Sequence, residues 1–354
     1  MRLARRGGHA GTVQREATVS KRIVVLGGGT GGTLLANRLR RRFGEDELKI
    51  DVVDRDDVHV YQPGLLFVPF GLADPDEIVR PRRRQLRRGI AFHEAEIDSV
   101  ELAAQTVRLA DGSALPYDVL VVASGARLLP EETEGLLGAG WNETAFTFYS
   151  LDGATKLRDA LARFDGGRLV VDIADMPVKC PVAPIEFAFL ADWFLRERGV
   201  RERSEIVLAT PLDGCFTKPI ASKHLTYLLE QKGIELEIEF AAGRVDGNAR
   251  TLFSYDGREL QYDLLAIVPL HGGAAFVDRT PGLGDGLGFV RTNAATLQAE
   301  VAPEVFALGD AKYTMWQKLR CVTAHWDTMD RLLQQPGPQA ATLLISKTRV
   351  ERFS

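Results

Sequence analysis

Cys180 is the side chain in this sequence best placed for covalent chemistry. It stands in the run Pro177-Val178-Lys179-Cys180-Pro181-Val182-Ala183-Pro184, just before an apolar stretch of helical character over 183–197. A helix N-terminus offers free N–H groups and the positive end of its dipole. Lys179 adds a cation, and both favour thiolate over thiol. The flanking prolines restrict the backbone, so the sulfur is aimed rather than left mobile. A buried, inert cysteine in a loop is the ordinary alternative. Glu186, in the first turn of the same helix, is either a proton acceptor or an acid that favours the helix dipole.

A second set of residues is suited to holding a nucleotide. Gly27, Gly29 and Gly32 spell G-x-G-x-x-G between an apolar strand, 22–26, and a helix, 31–43, patterned by Leu34, Leu35, Leu39 and Phe43 and stopped by Gly44. The first glycine permits the tight turn, the second lets backbone approach a pyrophosphate, and the third lets helix pack on strand. Asp54 follows the next strand, Leu48–Val53, 22 residues after Gly32, where a carboxylate can hold ribose hydroxyls. Two later strand exits fit a flavin dinucleotide. Residues 117–126 form a strand that ends in Ala-Ser-Gly at 123–125, with Ser124 and Gly125 able to pass close to a cofactor, and residues 305–311 set Gly309 and Asp310 after a strand, where a carboxylate can accept hydrogen bonds from ribitol.

These residues need strands and helices in alternation, and the chain supplies them. The expected elements are an arginine-rich helix near 77–88 and strands near 90–97, 105–109 and 118–123. Beyond residue 150 come strands near 168–173, 205–209, 235–239, 263–268 and 304–308, with helices over 183–197 and 219–232. The fold class is α/β, with two interleaved, Rossmann-like, doubly wound domains. The first is expected to run over 21–147 and to resume over 285–335 as the cofactor-binding domain, with the second over 148–284 between them. The second opens on a strand, Gly-Arg-Leu-Val-Val-Asp-Ile, where a further glycine loop would grip a nicotinamide nucleotide. Residues 174–184 instead hold three prolines and no glycine. Such a turn cannot line up phosphate-facing N–H groups, so the expected reductant is not a nicotinamide nucleotide.

Composition excludes several classes. The chain has 354 residues, 45% hydrophobic and 26% charged, and 44 basic against 48 acidic side chains give a net charge of −4. That balance exerts no pull on nucleic acid. Three cysteines are too few for a secreted disulfide framework. No metal site is expected, and no apolar run approaches the roughly 18 residues that would span a bilayer. Residues 1–20 read as a disordered leader without the apolar core of a secretory signal. Residues 336–354 read as an irregular, truncated tail. The expected location is the cytoplasm or the face of the cytoplasmic membrane.

The chain resembles the sulfide:quinone oxidoreductases, a branch of the glutathione-reductase-like flavoproteins. The likeness runs from Lys21 to about Asp310. It rests on VVLGGGTGG, HVYQPGLLFVPFG (59–71), YDVLVVASGA, PVKCPVAPIEFAFLADWFL, TPLDGCFTKPI (210–220) and VFALGDA. It implies FAD as cofactor and oxidation of sulfide to zero-valent sulfur or polysulfide. It also implies delivery of two electrons to a membrane quinone, with peripheral membrane contact. Carried over by residue, Gly27, Gly29 and Gly32 would bind the FAD pyrophosphate and Asp54 the adenosine ribose. Gln62 and Pro63 would lie near the isoalloxazine. Ser124 and Gly125 stand where the family often has Thr-Gly, Gly309 and Asp310 would meet the ribitol, and Lys318 would reach the pyrimidine edge. Cys180 matches the family cysteine that reacts with the flavin. The family uses a second cysteine, for which this chain offers Cys321, with Cys215 as the remaining thiol. The alternatives are a type II NADH dehydrogenase-like quinone reductase, a sulfide dehydrogenase flavoprotein subunit, and a truncated FAD-binding protein that turns over nothing.

Overall fold

The computed structural model describes residues 20–312. Six strands form one sheet and five form another, and the chain enters the second sheet before it has finished the first. In chain order the strands are β1 (Lys21–Leu26), β2 (Leu48–Asp54), β3 (Ile90–Glu94) and β4 (Val119–Val122), then β5 (Ala145–Phe146), β6 (Gly167–Ile173), β7 (Ser204–Ala209), β8 (Ile234–Glu237) and β9 (Leu264–Val268), and finally β10 (Gln298–Ala299) and β11 (Ala302–Ala307). The first sheet has the order β10-β11-β4-β1-β2-β3 and the second β5-β9-β6-β7-β8. All pairings are parallel except β10 with β11. Parallel strands covered on both faces read as continuous apolar runs, and Val24, Val25 and Leu26 of β1 are wholly buried.

Register aligns the exits of the first sheet. Leu26 sits opposite Val53 on one side and Val122 on the other, and Val122 in turn opposes Ala307. Gly27, Asp54, Ala123 and Leu308 therefore leave the sheet at one level. This edge is the topological switch point at which open α/β sheets bind ligands.

Helix α1 (Thr30–Arg42) buries Gly32, Leu35, Ala36 and Leu39 at helical spacing. Its end is closed by the Arg40 guanidinium, which donates to the carbonyls of Phe43 and Leu48, rather than by a left-handed Gly44. Helices α2 (Leu151–Arg163) and α3 (Ala183–Glu197) cover one face of the second sheet, and α4 (Pro219–Gln231) follows β7. Ser150 caps α2 by accepting from the N–H of Gly153 at 3.1 Å. The 59–71 loop crosses from the first domain into the second core. Leu65, Leu66, Val68 and Phe70 are buried with α2 and α3, and the Phe70 ring lies 4.8 Å from that of Phe187.

Two expected elements are different in the structure. Residues 77–88 are not a helix: Val79–Pro81 is a short strand paired with Val58–Val60, followed by a 3-10 turn at Arg82–Gln85. Pro81 disfavours a helix through this point. Arg82 donates its N–H to the Asp57 carbonyl, and Arg83 its own to the Asp57 carboxylate, which fixes an extended path. The stretch 90–97 is not one strand. It leaves the first sheet after Glu94 and resumes at Ile97–Glu101 in a separate three-stranded meander. The leader at 1–19, Lys318, Cys321 and the 336–354 tail lie outside the described residues.

Candidate functional site

The glycine loop has the geometry its spacing predicts. Gly27 has φ +107°, and a Cβ there would stand 2.4 Å from the Ala123 carbonyl oxygen. A Cβ on Gly32 would stand 1.9 Å from the Gly27 carbonyl oxygen, so helix and strand exit touch backbone to backbone. A Cβ on Gly29 would meet nothing within 4 Å, which leaves backbone open to a ligand. Gly29 caps α1 without a side-chain hydrogen bond, and the first turn has no acid. Free N–H groups and a positive dipole end therefore face this opening. Beside Gly27, Ser124 Oγ is buried with no hydrogen-bond partner among the described residues, and Gly125 has φ +70° with open space around it. A buried hydroxyl without a partner is costly unless a ligand satisfies it. Together these features fit a pyrophosphate-bearing dinucleotide.

Asp54 ends β2 beside the loop. Its Oδ2 accepts from the Gly28 N–H at 2.7 Å and pairs with Arg82 at 3.2 Å, while Oδ1 accepts from the Arg55 N–H at 2.9 Å. Burial raises this carboxyl above its ordinary range, and the Arg82 charge and the Gly28 hydrogen bond oppose it. His59 Nδ1 lies 3.3 Å from the Gly28 carbonyl oxygen. Arg82 and His59 thus border Asp54 and the glycine loop. The only hint of Arg82 in the sequence was an arginine run. Gln62 and Pro63 are exposed at the head of a 3-10 turn, Gln62–Leu66, whose last three residues are buried.

The second domain presents its proline-rich loop where β6 ends. Ala174 donates to the Val268 carbonyl and accepts from the Ala242 N–H, so the loop starts from a fixed base. The Met176-Pro177 peptide is cis, and the Pro177 carbonyl accepts from the His271 N–H at 3.0 Å. Cys180 has φ +50°, a left-handed conformation rare for a side-chain-bearing residue. Its carbonyl oxygen accepts from Tyr149 Oη at 2.9 Å and from the Ala183 N–H at 3.0 Å, which together hold the turn. The residue is half-buried.

Lys179 precedes the cysteine in this loop. Its ammonium lies 5.7 Å from the centre of the Tyr149 ring. Burial lowers its pKa, while the Asp310 carboxylate and the Cys180 sulfur act to raise it. Asp310 lies in the short turn Gly309–Ala311 after β11, and Gly309 has φ +62°. Among the described residues, Lys179 makes no ion pair within 4.0 Å. Glu186 is exposed in the first turn of α3, and partial loss of solvent raises its carboxyl. Cys215 is a free, buried thiol that donates to the Ser222 carbonyl at 3.2 Å and accepts from Thr226 Oγ1 at 3.4 Å. Sequence reasoning did not single out Tyr149, because nothing in its neighbourhood marks it.

The fold is a scaffold of two interleaved α/β sheets with a glycine loop on the first and a proline-rich cysteine loop on the second. The family model for pyridine nucleotide-disulphide oxidoreductases matches residues 21–173. The mitochondrial sulfide:quinone oxidoreductase of Mus musculus is 25% identical over 294 residues, covering 81% of this chain and 65% of that one. The crystal structure of the sulfide:quinone oxidoreductase from Aquifex aeolicus superposes with a TM-score of 0.72 at 21% identity, over 83% of this chain and 69% of that one. The type II NADH:quinone oxidoreductase of Haemophilus influenzae is 23% identical over 333 residues, covering 82% of this chain and 73% of that one. The chain is thus similar to sulfide:quinone oxidoreductases and, at comparable identity, to type II NADH:quinone oxidoreductases. It spans just under two thirds of the length of its mouse relative.

Proposed function

We propose that the protein oxidises sulfide to zero-valent sulfur or polysulfide through Cys180 and passes the two electrons to a membrane quinone. The observation that carries this reading is the loop at the end of β6. In place of a glycine turn it offers a half-buried cysteine in a fixed left-handed conformation, beside a lysine on which Asp310 acts. Bound FAD would supply the two-electron acceptor between sulfide and quinone.

The chain's own residues do the rest. Gly27, Gly29, Gly32 and Ser124 would hold the pyrophosphate side, Asp54 the adenosine ribose, and Gly309 and Asp310 the ribitol. Tyr149 and the Ala183 N–H fix the backbone of Cys180, and the nearby Lys179 charge favours its thiolate. In balance, hydrosulfide gives up one proton and two electrons, and its sulfur stays on the protein as persulfide until a further sulfur species removes it. Cys321 is the proposed partner thiol and Lys318 a further cofactor contact; Glu186 is the proposed acceptor for the released proton.

Similarity to type II NADH:quinone oxidoreductases supports a second reading, in which NADH is the reductant. One experiment separates the two. Under anaerobic conditions, sulfide should bleach the flavin absorption band of the purified protein and NADH should leave it unchanged. Bleaching by NADH alone would favour the second reading, and a colourless protein that takes up no FAD would remove both.

A further inference from the structure

Lys179 carries a charge that the fold has partly removed from water without pairing it. Its side chain is half-buried, its ammonium faces the Tyr149 ring at 5.7 Å, and among the described residues no carboxylate lies within 4.0 Å of it. The charged groups acting on it are the Asp310 carboxylate and the Cys180 sulfur. Tyr149 anchors the Cys180 carbonyl at 2.9 Å, so the ring that faces the ammonium also sets the position of the cysteine. A desolvated ammonium without a close counter-ion is unfavourable by itself and becomes favourable when an anion joins it.

We infer that Lys179 is a substrate-recognition residue that holds a small monoanionic sulfur species, of the class of hydrosulfide or a persulfide, against Cys180. This rests on the proposed sulfide oxidation for the identity of the anion, but the anion preference itself is a property of the site. The cation has two separable effects. Its effect on the cysteine's ionisation speeds attack by Cys180 on any electrophile, charged or neutral. Its attraction for an incoming anion speeds attack on anionic reagents alone.

Alkylation of Cys180 in the FAD-loaded protein separates them. Iodoacetate is a monoanion and iodoacetamide its neutral counterpart, and peptide mass spectrometry reads Cys180 apart from Cys215 and Cys321. Lys179→Met and Lys179→Gln should lower the ratio of the iodoacetate rate to the iodoacetamide rate by about tenfold, and Lys179→Arg should preserve it. Equal slowing by both reagents, or an unchanged ratio, in the two neutral variants would overturn the inference and leave the proposed oxidation standing. A lowered ratio in a protein that sulfide does not bleach would keep the anion site and remove the proposed oxidation.

Discussion

The phenol of Tyr149 donates to the carbonyl oxygen of Cys180 at 2.9 Å and so ties the turn before α2 to the loop after β6. The bond holds a residue whose φ of +50° is unfavourable for a side-chain-bearing amino acid. Tyr149→Phe keeps the ring beside Lys179 and removes only the donor. It should cost about 1 kcal/mol of stability, measured by urea unfolding. It should also change the rate at which Cys180 is alkylated, because the Cys180 carbonyl loses its side-chain anchor.

The two inner glycines of the first loop should fail in different ways. Gly32→Ala forces a Cβ to within 1.9 Å of the Gly27 carbonyl, and backbone on both sides must move. The cost should be about 1–3 kcal/mol or more, with FAD content falling alongside stability. Gly29→Ala meets nothing within 4 Å. That variant should unfold like the parent and yet bind FAD more weakly, read by equilibrium titration of flavin fluorescence.

Asp172 lies wholly buried on β6 with neither carboxyl oxygen hydrogen-bonded among the described residues, and burial pushes its pKa well above the carboxylate range. The folded state therefore keeps this proton to higher pH than the unfolded chain does. Its contribution to stability is full below the unfolded carboxyl's pKa and is lost as pH rises through the folded one. Asp172→Val should remove that dependence and raise stability at neutral pH by about 1–3 kcal/mol. Urea unfolding of parent and variant at several pH values checks both the sign and the slope.

What could be read from sequence was what depends on local pattern. The apolar run of β1, the spacing of Leu35 and Leu39 in α1, and the start of α3 after Pro181 all follow from periodicity and punctuation. The path of 77–88 did not, because Pro81 and the contacts of Arg82 and Arg83 with Asp57 outweigh the helical propensity of an arginine run. Asp172 was hidden inside a strand that otherwise reads as a plain buried run. Lys179 was noted only as a neighbour of the cysteine. Its relation to Tyr149 and Asp310 depends on how the two sheets meet, and no local pattern encodes that.

In the proposed oxidation of sulfide Cys180 carries the chemistry, and the anaerobic visible spectrum of Cys180→Ser tests that role. The variant should bind FAD as the parent does, because the thiol is no part of the proposed pyrophosphate or ribose contacts, and sulfide should leave its flavin band intact while bleaching that of the parent. Equal bleaching of parent and variant would contradict the account.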